Sequence, residues 1–249
     1  MAIDAYRTAV VTGANRGIGA ALVRALRGRG LLVHAIARTA EPLAALARDT
    51  GCVPHALDVG DRAAMMAALD GVEADILVNN AAAVATGGPS YETTVPQMED
   101  LLRVNIAGVI NGLAAVVPGM KARRRGHIVN LGSTAGLHVI PGMPAYGMTK
   151  AAIHNLSQTL RLDLHGCGIR VTEIVPGRVE TGIHLRLMAD QAAARRAFYD
   201  DYASLQPEDI VAAILFVLDA PQRMDVTLME VMPTDSIYGG AAFAKRAGA

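Results

Sequence analysis

The stretch AYGMTK at 145–150 places Tyr146 four residues before Lys150. The lysine opens KAAIHNLSQTLRLDL, whose apolar spacing is that of a helix. On a helix, residues four apart share a face, with Cβ atoms about 5–6 Å apart. A phenol with an unperturbed pKa of about 10, set beside a fixed ammonium, is drawn toward the phenolate. Such a pair can donate and accept a proton near neutral pH. The spacing also arises by chance, so its meaning rests on what the fold brings beside it. Four further polar residues are candidates. Ser133 closes the apolar run HIVNLGS, Asn79 and Asn80 close ADILVNN, and Asn105 lies in the helical segment LLRVNIAG. A carboxamide buried in a helix must find hydrogen-bond partners, whether structural or chemical.

A second constellation lies near the N-terminus, in TGANRGIGAALVRAL at 12–26. Gly13, Gly17 and Gly19, with Asn15, Arg16 and Ile18 between them, form a turn from strand to helix. Glycine permits the tight turn and lets backbone amides approach a pyrophosphate seated on the helix N-terminus. In that position the pattern reads as a dinucleotide site. The next strand ends AIARTAE. Where an acidic residue usually holds the ribose hydroxyls stands Ala37, followed by Arg38 and Thr39. Two guanidiniums, Arg16 and Arg38, and no carboxylate point to the 2′-phosphate of NADP(H), with exposed surface arginines as the alternative. Asp58 and Val59, in ALDV, are expected near the adenine edge, and a loop-capping role is the alternative for Asp58.

The elements that must hold these groups alternate along the chain. Short apolar runs at 7–13, 31–37, 52–58, 74–80, 127–133, 170–177 and 226–232 are separated by segments of helical period. This predicts an α/β fold: a doubly wound, Rossmann-type parallel sheet covered by helices on both faces. No linker or repeat divides residues 1–249, so a single domain is expected. Residues 178–206 carry no clear strand and follow a strand's carboxyl end, where such sheets bind ligands. We read them as a short helical lid, against a plain surface excursion. The composition, 52% hydrophobic and 18% charged, suits a buried core. Lys plus Arg equals Asp plus Glu, 23 each, which argues against nucleic acid or anionic membrane as partner. The basic run KARRRGH at 121–127 reads as a helix C-terminus. Cys52 and Cys167 read as buried apolar residues in a reducing compartment. With no apolar run read as a membrane span, a cytoplasmic location is expected, and no histidine pairing suggests a metal.

Taken together, the chain resembles the short-chain dehydrogenase/reductase family over nearly its whole length. The matching pieces are T-G-x-x-x-G-x-G at Thr12–Gly19, N-N-A at Asn79–Ala81, the helix residue Asn105, Ser133, Y-x-x-x-K at Tyr146–Lys150, and P-G-x-V-x-T at Pro176–Thr181. One departure is Ala82, where the family usually has glycine after N-N-A. The resemblance implies hydride exchange between NADP(H) and a carbonyl or alcohol. Tyr146 would act as general acid or base, with Lys150 lowering its pKa. Ser133 would bind the substrate oxygen, and Asn105 would hold a water that links Lys150 to solvent. It also implies cofactor contacts at Asn80, Ala81, Tyr146, Lys150, Pro176, Gly177, Val179 and Thr181. Association as a homotetramer is implied, through helices at roughly 96–122 and 146–166, with a dimer left open. The ending QPEDIVAAILFVLDAP…EVMPTDSIYGG resembles the branch of 3-hydroxy acid (serine-type) dehydrogenases and sulfoacetaldehyde or clavulanate-type aldehyde reductases, which mostly use NADP(H).

For the substrate, Arg178 follows Pro176–Gly177 and is expected to face the reacting group. A forked guanidinium there suits a carboxylate or sulfonate, and a salt bridge to Glu180 or a lid aspartate is the alternative. His184 and Arg186 add cations in the lid, while His138, Met143 and Met188 are expected on the apolar wall. The leading expectation is therefore a small anionic carbonyl or alcohol. A neutral ketone or alcohol is the alternative within enzymes, and a catalytically silent cofactor sensor is the alternative outside them.

Overall fold

The structure is a computed structural model that describes residues 2–84, 89–182, 185, 190–200 and 202–237. All seven expected strands form: β1 (Thr8–Thr12), β2 (Leu32–Ala37), β3 (Val53–Ala56), β4 (Ile76–Asn79), β5 (Gly126–Leu131), β6 (Ile169–Pro176) and β7 (Leu228–Val231). They make one parallel sheet in the order β3-β2-β1-β4-β5-β6-β7. Strands β1, β4, β5 and β6 are buried almost throughout, because helices cover both faces of a parallel sheet. The order reverses between β1 and β4, so a crevice opens beyond their carboxyl ends.

Two apolar clusters lie on the two faces. On one, α1 (Gly17–Gly28), α2 (Ala40–Thr50) and α9 (Pro207–Asp219) bury Leu22, Leu26, Leu43, Ile210, Ile214 and Val217. On the other, α3 (Arg62–Ala68), α5 (Gly108–Arg123) and α7 (Pro144–Asp163) bury Met65, Leu113, Val116, Met120 and Ile153 against Leu77, Ile128 and Val171. The helix α4 (Val95–Leu101) runs into α5 through a π-helical turn, Leu102–Ala107, which carries Asn105. The short α6 (Thr134–Leu137) follows β5.

Two expectations need correction. The continuous helical stretch Val95–Arg123 is 29 residues long and apolar enough to cross a membrane, which the sequence reading did not single out. Half of its apolar window is buried inside the protein, where Asn105 and Asn111 hydrogen-bond to the core. Cys167 is half-buried, whereas Cys52 is buried as expected. In the segment 178–206, the described part holds α8 (Gln191–Arg195), a π-helical turn Arg196–Asp200, and a parallel bridge between Val179 and Leu205. Helical character is therefore present among the described residues of that segment.

Candidate active site

A cleft of about 630 Å³ opens at the carboxyl ends of the strands and joins both constellations read from the sequence. Its floor at one end is the turn from β1 into α1. Gly17 has φ +50°, a left-handed conformation that disfavours any side chain, and a Cβ there would lie 3.0 Å from Thr181 Cβ. A Cβ at Gly13 would lie 2.8 Å from the Ala81 Cα, so the turn and the ends of β4 and β6 close around one another. Asn15, Arg16, Ile18, Arg38, Thr39 and Val59 line the same end. A backbone cradle at a helix N-terminus, rimmed by two guanidiniums, fits a phosphorylated dinucleotide.

Three expected cofactor residues do structural work here. Gly19 does not line the cleft. A Cβ on it would lie 2.2 Å from the Gly13 carbonyl oxygen, so glycine is needed for the helix to pack on its own turn. Asn80 lines the cleft, but its Nδ2 donates to the Thr12 and Gly13 carbonyls at 2.9 and 3.1 Å, pinning β4 to the turn. Asp58 also faces the cleft. Its carboxylate accepts from Gly60 N at 2.8 Å, meets Arg103, and lies 3.9 Å from Arg38. Burial opposes its charge, but these donors outweigh it and hold the carboxyl below its usual range. The capping alternative for Asp58 thus holds together with its place at the cleft, and Arg103 was not foreseen. Ala82 lines the cleft without left-handed backbone, so the missing family glycine leaves no strain there.

At the other end stand Ser133, Tyr146 and Lys150, all lining the cleft. The extended backbone of Ser133 caps α6, with its Oγ accepting from Ala135 N at 3.2 Å. The same hydroxyl acts on the Tyr146 phenol, favouring its ionised form. Lys150 is 4% exposed, and its Nζ lies 5.8 Å from the Tyr146 ring centroid and donates to the Leu131 carbonyl at 2.7 Å. Burial pulls the lysine down to about 8, against the opposing pull of Glu173, so at pH 7 it remains mostly ammonium. The phenol behaves differently from expectation. Burial raises its pKa, and the counteracting influence is the Ser133 hydrogen bond rather than Lys150. Asn105, 1% exposed, does not line the cleft. Its Oδ1 accepts from Ala83 N at 2.7 Å, and its Nδ2 donates to Ala83 O and to Thr149 Oγ1 at 3.1 and 2.9 Å. The carboxamide thereby ties the loop after β4 to α7, one residue before Lys150.

Pro176, Gly177, Val179 and Thr181 line the cleft at the end of β6, together with Ala81 and Arg178. The Arg178 guanidinium lies 5.6 Å from the Phe198 ring and 5.3 Å from the Tyr202 ring, at cation–π distance. Arg178 Nη1 also donates to the Phe198 carbonyl at 3.4 Å, and Glu180, one of the acids weighed as its partner, pairs with Arg195 at 2.9 Å. Met143 lines the cleft as expected, with Ile140, Pro141 and Phe198 beside it. His138 does not; its Nε2 lies 3.3 Å from the Glu230 carboxylate on β7. His184, Arg186 and Met188 lie outside the described residues.

The sequence reading missed Phe198 and Tyr202, which lie about 20 residues beyond Arg178 in a segment with no motif. It also missed Glu173, a carboxylate 2% exposed within the apolar strand β6. A lone acid in an apolar strand was the available signal.

Comparisons with known proteins bear on the whole chain. A family model described as short chain dehydrogenase matches residues 7–192. A short-chain type dehydrogenase/reductase of Sinorhizobium fredii is 37% identical over 243 residues, covering 98% of each chain. The NADP-dependent 3-hydroxy acid dehydrogenase YdfG of Escherichia coli (strain K12) is 36% identical over 240 residues, 93% of this chain and 96% of that one. Among solved structures, the closed form of a serine dehydrogenase complexed with NADP+ superposes with a TM-score of 0.90 at 34% identity. That match covers 96% of this chain and all of the other.

Proposed function

This chain belongs to the short-chain dehydrogenase family, and from that premise we propose that it is an NADP(H)-dependent oxidoreductase acting on a small carbonyl or alcohol that bears an anionic group. One observation carries the reading. The glycine turn with Arg16 and Arg38, the Ser133–Tyr146–Lys150 row, and Arg178 all face a single cleft. The NADP dependence named for YdfG and the NADP+ in the serine dehydrogenase complex support the cofactor, and their named substrate classes, 3-hydroxy acids and serine, support the anionic group.

NADP(H), when bound, exchanges the hydride. In this reading the chain's own residues do the rest. The backbone of Gly13–Gly17 seats the pyrophosphate, and Arg16 and Arg38 pair with the 2′-phosphate. In reduction, the Tyr146 phenol gives its proton to the carbonyl oxygen, and in oxidation it takes the proton back. Its raised pKa keeps it protonated at rest, ready as the acid. Ser133 donates to the same oxygen as charge develops on it. Lys150 presents a positive charge to the site and hydrogen-bonds the nicotinamide ribose. Asn105 positions Lys150 through Thr149 and holds the loop after β4. Arg178, stacked between Phe198 and Tyr202, pairs with the substrate's carboxylate or sulfonate. The helical segment that carries the two rings thereby closes over the site as a lid. Exposed Leu102 and Ile110 on one long helix and Met148 on the other support assembly through these helices.

The test pairs anionic and neutral carbonyls of similar size, reduced with NADPH by wild type and by Arg178→Leu. Loss of a charge-assisted pair costs about 2 kcal/mol, so KM for the anionic substrate should rise roughly 30-fold while the neutral one changes little. Equal effects on both would overturn the anionic reading.

A further inference from the structure

The ridge of α7 that carries the tyrosine and lysine does not stop at Lys150. Tyr146, Lys150, His154 and Gln158 follow one another at intervals of four, so all lie along one face of the helix. Opposite this ridge, Glu173 rises from β6, buried to 2% exposure. His154 Nδ1 lies 2.7 Å from Glu173 Oε2, and Gln158 Nε2 lies 2.7 Å from His154 Nε2. Since an amide nitrogen only donates, this assigns the ring proton to Nδ1, where it is given to the carboxylate. The other carboxylate oxygen is fixed by packing. A Cβ at Gly132 would lie 2.3 Å from Glu173 Oε1, so the acid occupies the space that a side chain before Ser133 would need. One acid is thus clamped by a histidine on one side and by a glycine of the cleft wall on the other.

We infer that Glu173 is a positioning residue of this site: clamped by His154 and packed under Gly132, its carboxylate is the counter-charge that keeps Lys150 an ammonium. The inference rests on the role given to Lys150 above. It gives the third turn of the ridge a purpose that Tyr146 and Lys150 alone do not supply. A buried ammonium donating to one carbonyl, that of Leu131, loses the hydration that sustained its charge. Glu173 packs under Gly132, the residue after the Leu131 whose carbonyl holds the ammonium, so its carboxylate is placed to restore part of that stabilisation. Burial pushes the Glu173 carboxyl itself upward, and His154 and Lys150 oppose that shift. The other groups around Glu173 do not compete for this task. From β5, Asn130 shares its register but donates to Ser157 on α7. From β7, Glu230 stands two residues along from the register partner Leu228 and meets His138.

The test reads the charge on Lys150 directly and needs no turnover. Acylation of the purified protein with acetic anhydride across pH, followed by peptide mass spectrometry, reports the fraction of neutral amine at Lys150. In wild type the midpoint should lie at about 8. In Glu173→Gln it should fall by about one pH unit, so that at pH 7 the neutral fraction rises severalfold. Glu173→Asp, which keeps the carboxylate, should recover most of the shift. A merely structural glutamate predicts lower thermal stability in both variants with the Lys150 midpoint unmoved, and that result would overturn the inference. The reciprocal measurement covers the case in which Glu173→Gln does not fold. In Lys150→Met, the Glu173 carboxyl followed by 13C NMR should titrate at higher pH than in wild type, and an unchanged midpoint sinks the proposal. Failure of wild type to reduce any carbonyl would overturn the oxidoreductase reading, while these midpoints still decide the role of Glu173.

Discussion

The two ends of the parallel sheet use buried charge in opposite ways. At the amino end every buried ion is enclosed by protein. Asp75, 1% exposed, accepts from Arg7 N at 2.7 Å, from Thr8 N at 3.4 Å and from Arg125 Nε at 2.9 Å. Arg170, 3% exposed, donates to the carbonyls of Val217, Leu218, Ala220 and Met224 and to the Tyr6 hydroxyl. Those carbonyls close the carboxyl end of α9, whose dipole is negative there, so a guanidinium suits the place without a carboxylate partner. At the carboxyl end, Lys150 is buried and Tyr146 and Arg178 are half-buried, and each lines the cleft. The same physics locks one end and sets the charges of the other on the wall of a cleft.

The comparison can be broken at either end. Tyr146→Phe should lower kcat about 10³-fold, within the usual range for loss of a general acid, and leave thermal stability nearly unchanged. Arg170→Met should do the reverse. Orphaning several carbonyls costs on the order of 3 kcal/mol, or roughly 6–12 °C in Tm for a chain of this size, with KM unaffected in enzyme that remains folded. A loss of activity from Arg170→Met at temperatures where it is folded would mean that the two ends are coupled. Arg38→Leu sharpens the contrast within the cleft. It should weaken NADPH about tenfold, close to 1.4 kcal/mol, while NADH binding by titration changes less than about twofold. Arg38 is half exposed and tied loosely to Asp58, so its contribution is smaller than that of the buried groups.

The last effect concerns pH. Burial, with Arg170 adding to it, holds the His127 pKa well below its usual value. His127 is therefore neutral in the fold at pH values where the unfolded chain has already bound a proton. Stability should fall as pH drops below about 6.5 and continue to fall until the folded-state pKa is reached, at a slope no steeper than about 1.4 kcal/mol per pH unit for one proton. Denaturant melts of wild type and His127→Gln between pH 7 and pH 5 check this, and the variant should show the flatter dependence.

Much of this molecule was legible from residue order because its signals are local. The seven strands read as apolar runs since both faces of a parallel sheet are covered, and Tyr146–Lys150 read as a pair since helical spacing sets their separation. What escaped depends on residues far apart in sequence. His138 was expected on the pocket wall, but its partner Glu230 arrives only with β7. The partners of the Asn105 carboxamide, Ala83 and Thr149, come from two different parts of the chain. The pull of Lys150 on the phenol was argued from charge alone. The cost of burying the phenol, which a sequence does not display, proved the larger influence. Phe198 and Tyr202 meet Arg178 because the bridge between Val179 and Leu205 folds their segment back onto it.

The π-helical turn at Leu102–Ala107 does more than hold Asn105. Leu101 at the start of the stretch and Met120 near its end both face the core. At 3.6 residues per turn the 19 steps between them amount to about 5.3 turns, which would leave the two out of phase by roughly 100°. A single wide turn absorbs about one residue of that mismatch. The helix therefore works like a vernier: one slipped notch brings Leu101 and Met120 back into phase. Deleting one residue from that turn would swing everything before it about a quarter-turn around the axis and off its packing against α7.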